Sequence, residues 1–252
     1  MEKKILYLLT CVGLCWSSCT NEVDEFIGNV EPSTRSVSTA LNANLASLFT
    51  GGAPTLTSAE IKEVNDAYAK MTSINCYRNI DEAVRNKTSY AGTIFLDDTY
   101  ASAYFRKGSL AFPPYGILAS SMEHEFIHMY QRDVQGKKVD TDKEKRDTGM
   151  MEFELAFYQG IIRYIHAGYS WTFKGEDGDP SYQSLWTSGL TDPSLIPQYE
   201  REFQTYVASI CANGKPTSID INEFVKWSNI FGEYSRGYSG KGYKFGNYDY
   251  GT

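Results

Sequence analysis

Apolar residues recur at helical spacing in two stretches of the chain. Ile61, Val64, Tyr68 and Met71 follow at steps of three and four, as do Phe153, Phe157, Ile161 and Tyr164. One face of an α-helix repeats at those steps, so each stretch predicts an amphipathic helix. The first opens at Thr57-Ser58, with Ser58 as the expected N-cap and Glu60 in the first turn. The second runs from Met150 to Tyr169, behind Asp147-Thr148, which can cap it. Shorter helices are expected over Ile80 to Val84, Pro193 to Ala212 and Ile219 to Phe231, the last with Asp220 or Asn222 near its start. Strand signals lie between. Ala91 to Leu96 is short, apolar and β-branched, Asp97-Asp98 makes a turn, and Tyr100 to Phe105 with Gly108 to Phe112 reads as a second strand or an irregular hairpin. Pro113-Pro114-Tyr115-Gly116 stops it. The expected fold is α+β and predominantly helical.

The flanks are organised differently. In residues 1–18, Lys3 and Lys4 precede an apolar run from Ile5 to Trp16, the pattern of a secretory signal and too short for a membrane span. Trp16-Ser-Ser-Cys19 resembles the lipobox of bacterial lipoproteins, which implies a lipid on Cys19, although Trp16 stands where an aliphatic residue is usual. Thr20-Asn-Glu-Val-Asp-Glu25 is similar to the acidic signal that sends such lipoproteins to the cell surface in Bacteroidetes-type bacteria. Residues 19–56 read as lipidated N-terminus and flexible tether, with one short helix around Val37 to Phe49. Residues 57–252 form the expected folded domain. Its end, Gly232 to Thr252, repeats Gly and Tyr without periodicity and reads as an irregular tail.

Charge and cysteines narrow the function classes. The formal net charge is −7, and removal of residues 1–18 takes away one acid and two bases. An acidic surface repels phosphate backbones, so nucleic acid is not an expected partner. The membrane is reached only through the lipid anchor, at the outer membrane or cell surface. Cys76 and Cys211 remain in the domain, either as one disulfide or as two buried thiols.

The chemistry lies in Ser121-Met-Glu-His-Glu-Phe-Ile-His-Met-Tyr-Gln-Arg132. His124 and His128 are four apart, one turn above each other on a single helix face. Two imidazoles so placed can close on one metal ion, with Glu125 beside the first able to reach a water there. The apolar residues around them, Phe126, Ile127 and Met129, bury the helix, and buried polar side chains need partners. The helix is expected to begin near Ile117 and to end near Gly136, before a charged loop from Lys137 to Asp147.

A catalytic zinc takes three protein ligands and keeps a fourth position open. Glu152, Glu154 and His166 on the following helix are the candidates. Two residues apart means about 200° around a helix, so only one of the two acids can face the ion. Glu154 shares the apolar stripe of Met150, Phe157, Tyr158 and Ile161, whereas Glu152 lies with Gln159 and Arg163. On the argument that a ligand to a buried ion lies on the buried stripe, Glu154 is the expected third ligand and Glu152 the alternative. His166 is ~18 Å along the helix from Glu154 and cannot join the same site. Gln131, on the histidine face, is a candidate hydrogen-bond partner around the ligands.

His124-Glu-Phe-Ile-His-Met-Tyr-Gln131, followed by Glu152-Phe-Glu-Leu-Ala-Phe157, resembles the glutamate-ligand zincins, and more closely a set of zinc metallopeptidase-type lipoproteins of Bacteroidetes with an HExxHxxQ motif. The similarity covers roughly residues 108–160. It implies Zn²⁺ as cofactor, Glu125 as general base, a zincin-like packing of the motif helix against a small sheet and a glutamate-bearing helix, and a cleft strand that pairs with an extended substrate. Tyr158 stands where well-known members carry an aspartate, and Leu155 where an alanine is expected. The implied substrate is a protein, a peptide or a peptidoglycan cross-link. The competing reading is a non-catalytic surface lipoprotein: 14% of residues are aromatic, and exposed rings can bind glycan or protein.

Overall fold

The amphipathic stretches form helices that share two cores. A computed structural model describes residues 40–100, 102–137, 145–167, 193–212, 216, 219–231, 245–248 and 250. The expected signal, Cys19, most of the tether and the loop from Trp171 to Asp179 lie outside the described residues. Seven α-helices are described: α1 (Ala43–Leu48), α2 (Ser58–Thr72), α3 (Asn75–Lys87), α4 (Ala119–Met129), α5 (Lys145–Ala167), α6 (Ile196–Ile210) and α7 (Ile221–Phe231). Three short strands, β1 (Ile94–Leu96), β2 (Tyr104–Arg106) and β3 (Ser109–Phe112), stand between α3 and α4. The fold is α+β, mostly helical, with one small mixed sheet. No described helix is long and apolar enough to cross a membrane.

Sheet order is β1-β3-β2, with β1 parallel and β2 antiparallel to β3. The irregular hairpin resolves into two strands joined by Lys107-Gly108, with Arg106 opposite Ser109. Both turn residues have positive φ, 51° and 78°, the two-residue turn whose twist matches paired strands. On the β1 side, residues 48–52 run alongside 90–94 through Tyr90 N–H to Leu48 O (2.7 Å), Thr50 N–H to Tyr90 O (2.8 Å) and Ile94 N–H to Gly52 O (2.8 Å). That edge is therefore covered, and β2 is the other one.

Four boundaries differ from expectation. The cap of α2 is Thr57 rather than Ser58: its side chain accepts from Glu60 N–H while Glu60 accepts from Thr57 N–H, a reciprocal capping box. Asp147 and Thr148 lie inside α5, which begins at Lys145, and do not cap it. α3 is longer than the expected Ile80 to Val84. The segment assigned to the tether contributes core: Leu45, Leu48 and Phe49 are fully buried. Their spacing of three and four residues is itself the signal, hidden by the polar composition around it.

α5 divides the interior. Leu155, Tyr158 and Ile162 enter one core with Leu48, Phe49, Tyr68, Met71, Phe112, Met122 and Phe126. Met150, Phe153, Phe157 and Ile161 enter a second with Phe203, Val207, Phe224 and Trp227. Each such side chain contributes roughly 1.5–3 kcal/mol on full burial. Phe245 and Tyr250 of the C-terminal segment pack against both. Cys76 belongs to the first core and Cys211 to the second; both are free and buried, and burial pushes their thiols up to about 12 and about 11.

Candidate metal centre

α4 presents two faces. Met122, Phe126 and Met129 enter the first core. Ser121, His124, His128 and Gln131 lie one turn apart on another face, toward α5. Past Met129 the helix widens into a π-helical turn over Tyr130–Val134, closed by Gln135 N–H to Tyr130 O (3.0 Å). Single π turns in α-helices often mark functional sites. This one leaves Gln131 fully buried, and the chain exits through Gly136 at φ 72°, a left-handed conformation that suits glycine.

Three side chains meet between α4 and α5. His128 Nε2 lies 3.1 Å from His124 Nε2 and 3.1 Å from Glu152 Oε1, and His124 Nε2 lies 3.4 Å from Glu152 Oε2. Among the described residues, His124, His128 and Glu152 form a group able to hold a metal ion, with one ligand atom of each within 4.8 Å of the others. A tetrahedral ion with bonds of ~2.0–2.1 Å separates its ligands by about 3.3 Å. The triangle matches that spacing.

Hydrogen bonding fixes which nitrogen of His128 is available. Gln131 Nε2 donates to Met151 O (3.0 Å), which turns its Oε1 toward His128 Nδ1 at 2.9 Å. An amide oxygen only accepts, so Nδ1 carries the proton and Nε2 of the neutral ring keeps its lone pair. That lone pair faces a carboxylate and a second imidazole nitrogen. Acceptors this close require a cation among them, a proton or a metal ion. Without a metal the proton takes the place: burial pulls the His128 pKa down, but the charge and hydrogen bond of Glu152 outweigh it and leave it raised. Burial pushes the Glu152 carboxyl up, and the two histidines outweigh that and hold it well below the usual range. The residues therefore fit a divalent ion.

Glu125 sits beside this group without belonging to it. It is buried, burial raises its pKa, and its carboxylate accepts a hydrogen bond from the backbone of Phe105 in β2. That N–H points away from β3, on the edge of β2 that faces α4 and that no strand covers among the described residues.

Glu154, the expected ligand, is corrected to a different role. It is fully buried and accepts from Lys137 Nζ (2.5 and 2.6 Å), Tyr248 OH (2.6 Å) and Gly246 N–H (3.2 Å). Glu152, the alternative, is the carboxylate that α5 delivers to the histidines. The most buried stripe of the helix faces packed protein, whereas a site that admits solvent lies at its margin. Gln131 makes the hydrogen bond expected of it, while the side chain of His166 lies outside the described residues. Sequence reasoning missed Lys137 and Tyr248. Neither carried a signal: Lys137 is one of two adjacent lysines in a charged stretch, and Tyr248 is one of several tyrosines in the C-terminal segment. Tyr158, at the aspartate position of the resembled family, meets the Cys76 thiol and stacks on Tyr248 with ring centroids 4.3 Å apart.

No family model, curated protein or solved structure matches this chain.

Proposed function

We propose that the protein is a zinc metallopeptidase of zincin-like design, carried to the cell surface by a lipid on Cys19. The observation that supports this best is the triangle of His124 Nε2, His128 Nε2 and a Glu152 oxygen, with Glu125 adjacent but not part of it. His124, His128 and Glu152 would hold Zn²⁺, since two imidazoles and one carboxylate with a position left open are a catalytic rather than a structural donor set. When bound, the ion polarises a substrate carbonyl and lowers the pKa of water to ~7.

The chain's own residues supply the proton traffic. Glu125 takes a proton from the attacking water and delivers it to the leaving amine nitrogen, the role of a general base that becomes a general acid. Burial, by raising its pKa, brings the carboxyl closer to the neutral range where both halves of that exchange run. The Phe105 backbone orients it. An extended peptide lying along the outer edge of β2 would pass this carboxylate, held by pairing with the backbone groups that Glu125 does not occupy.

The test uses Glu125→Gln. Metal content should stay at parent level while peptide hydrolysis falls by about 10²–10⁴-fold or more. A variant that cleaves as fast as the parent would falsify the assignment. If the metal-loaded parent turns over no peptide, the surface-binding reading takes its place, supported by the exposed rings of Tyr100 and Tyr115. Mass spectrometry of the native N-terminus tests the anchor: diacylglycerol on Cys19 is expected, and an unmodified Cys19 rules it out.

A further inference from the structure

The buried cluster around Glu154 is joined to the metal centre. Tyr248 OH donates to Glu154 Oε1 at 2.6 Å, and the same hydroxyl meets the side-chain amides of Gln131 and Gln135. Gln131 Nε2 has two hydrogens; one goes to Met151 O, and the other is free for the phenol oxygen. The donors then all run one way: His128 Nδ1–H to Gln131 Oε1, Gln131 Nε2–H to Tyr248 Oη, and Tyr248 O–H to Glu154, whose charge Lys137 balances. Chains of hydrogen bonds with a common direction polarise one another.

We propose that Tyr248 is a positioning residue for the metal centre: from the C-terminal segment it joins Met151 O in holding the Gln131 amide in the orientation that leaves His128 Nε2 available to the ion. The inference rests on the proposed metal site. Glu154 is the remote carboxylate of this relay, doing through a tyrosine and a glutamine what a directly bonded carboxylate does for many metal-bound histidines. The segment that carries Tyr248 is built to seat there. Gly246 lies against Gln135, and a Cβ at Gly246 would stand 2.0 Å from Gln135 Nε2, so glycine leaves room for the Gln135 amide beside it. Gly246 N–H also donates to Glu154. Docking of the C-terminal segment and order at His128 are thereby coupled.

The test is a Zn²⁺ titration against a competing chelator, run on the full folded chain. Tyr248→Phe keeps the ring that stacks on Tyr158 and meets Phe245 edge-on, and removes only the hydroxyl. It should weaken Zn²⁺ binding about tenfold, the lower end of what second-layer partners contribute. Gln131→Met should weaken it by about 10–100-fold, and adding Tyr248→Phe to that variant should change nothing further. Equal affinity of Tyr248→Phe and parent overturns the proposal, and so does a tyrosine effect that persists in the Gln131→Met background. A second readout needs no metal. Nitrogen NMR of the metal-free protein at alkaline pH should show His128 as the Nδ1–H tautomer in the parent and as a mixture in Tyr248→Phe. If the parent binds no Zn²⁺, the metal reading alone falls and the tautomer still decides the role of Tyr248: an unchanged tautomer in the variant sinks it.

Discussion

Glu152 and Glu154 stand two residues apart on one helix and live in opposite surroundings. The Glu152 side chain is 23% exposed and shares its carboxylate between two imidazole nitrogens. Glu154 is 0% exposed and already has a lysine, a tyrosine hydroxyl and a backbone N–H. Both are carboxylates between α5 and its neighbours, but only one has capacity left for an ion. A buried charge must be paired within the fold, so the most deeply placed acid is the one whose lone pairs are already taken. A ligand that must exchange water and substrate sits at the margin of the core instead.

Removing each carboxylate should break the comparison in opposite ways. Binding energies of roughly 10–16 kcal/mol for zinc held by several ligands put one ligand at on the order of 3–4 kcal/mol, about a thousandfold in affinity. Glu152→Ala should therefore lose Zn²⁺ by about that factor and, at pH 8, where His128 has shed its proton, nearly keep its melting temperature in chelator. Glu154→Ala should do the reverse, destabilising the metal-free fold by roughly 3–5 kcal/mol, because the part-buried Lys137, Tyr248 and Gly246 N–H all lose the carboxylate they share. Denaturant melts and metal titration on the two variants check both halves. If Glu154→Ala loses zinc while its fold is unharmed, the two roles have been exchanged.

A milder pair sharpens the second half. Lys137→Met with Glu154→Gln removes both charges yet keeps an acceptor for Tyr248 OH, so it should regain most of the stability that Glu154→Ala loses. Burial already pulls the Lys137 pKa down against the attraction of Glu154, so the lysine gains little from being charged there. A double variant no more stable than Glu154→Ala would mean that the ion pair itself, and not the avoidance of an unpaired charge, holds the C-terminal segment.

The comparison also shows what was legible in the sequence. His124, Glu125 and His128 were readable because their relation is local: a helix of any tertiary surrounding places residues four apart on one face. The stripes of α2 and α5 were readable for the same reason. Glu152 was misjudged because the stripe rule orders residues by depth and says nothing about whose charge a deep acid meets. Lys137 and Tyr248 could not be paired with Glu154, since 17 and 94 residues of chain separate them and neither lies in a periodic segment. The π turn over Tyr130–Val134 has no sequence signature of its own.

The smallest effect expected is a pH dependence carried by His128 and Glu152 together. In the metal-free protein the folded-state pKa of His128 is raised, because attraction to Glu152 outweighs burial, so its contribution to stability is complete below the unfolded value of ~6.5 and is lost as pH rises through the folded value. The folded-state pKa of Glu152 is lowered, because the histidines outweigh burial, so its contribution is present above the ordinary value of about 4.5 and lost as pH falls through the folded value. Together they give the apoprotein a stability bonus centred between about pH 4.5 and 6.5, where both groups are charged. Zinc needs the same nitrogen unprotonated, so the melting-temperature gain on adding zinc should grow as pH rises from that window toward 8. Glu152→Gln removes the carboxylate that raises His128, and the apoprotein's acid-side bonus should vanish with it. Thermal melts of parent and Glu152→Gln in chelator across this range provide the measurement. Superimposable pH profiles would show that His128 does not depend on Glu152 for its proton, and the two imidazoles would then need another cation-holding partner to explain their 3.1 Å approach.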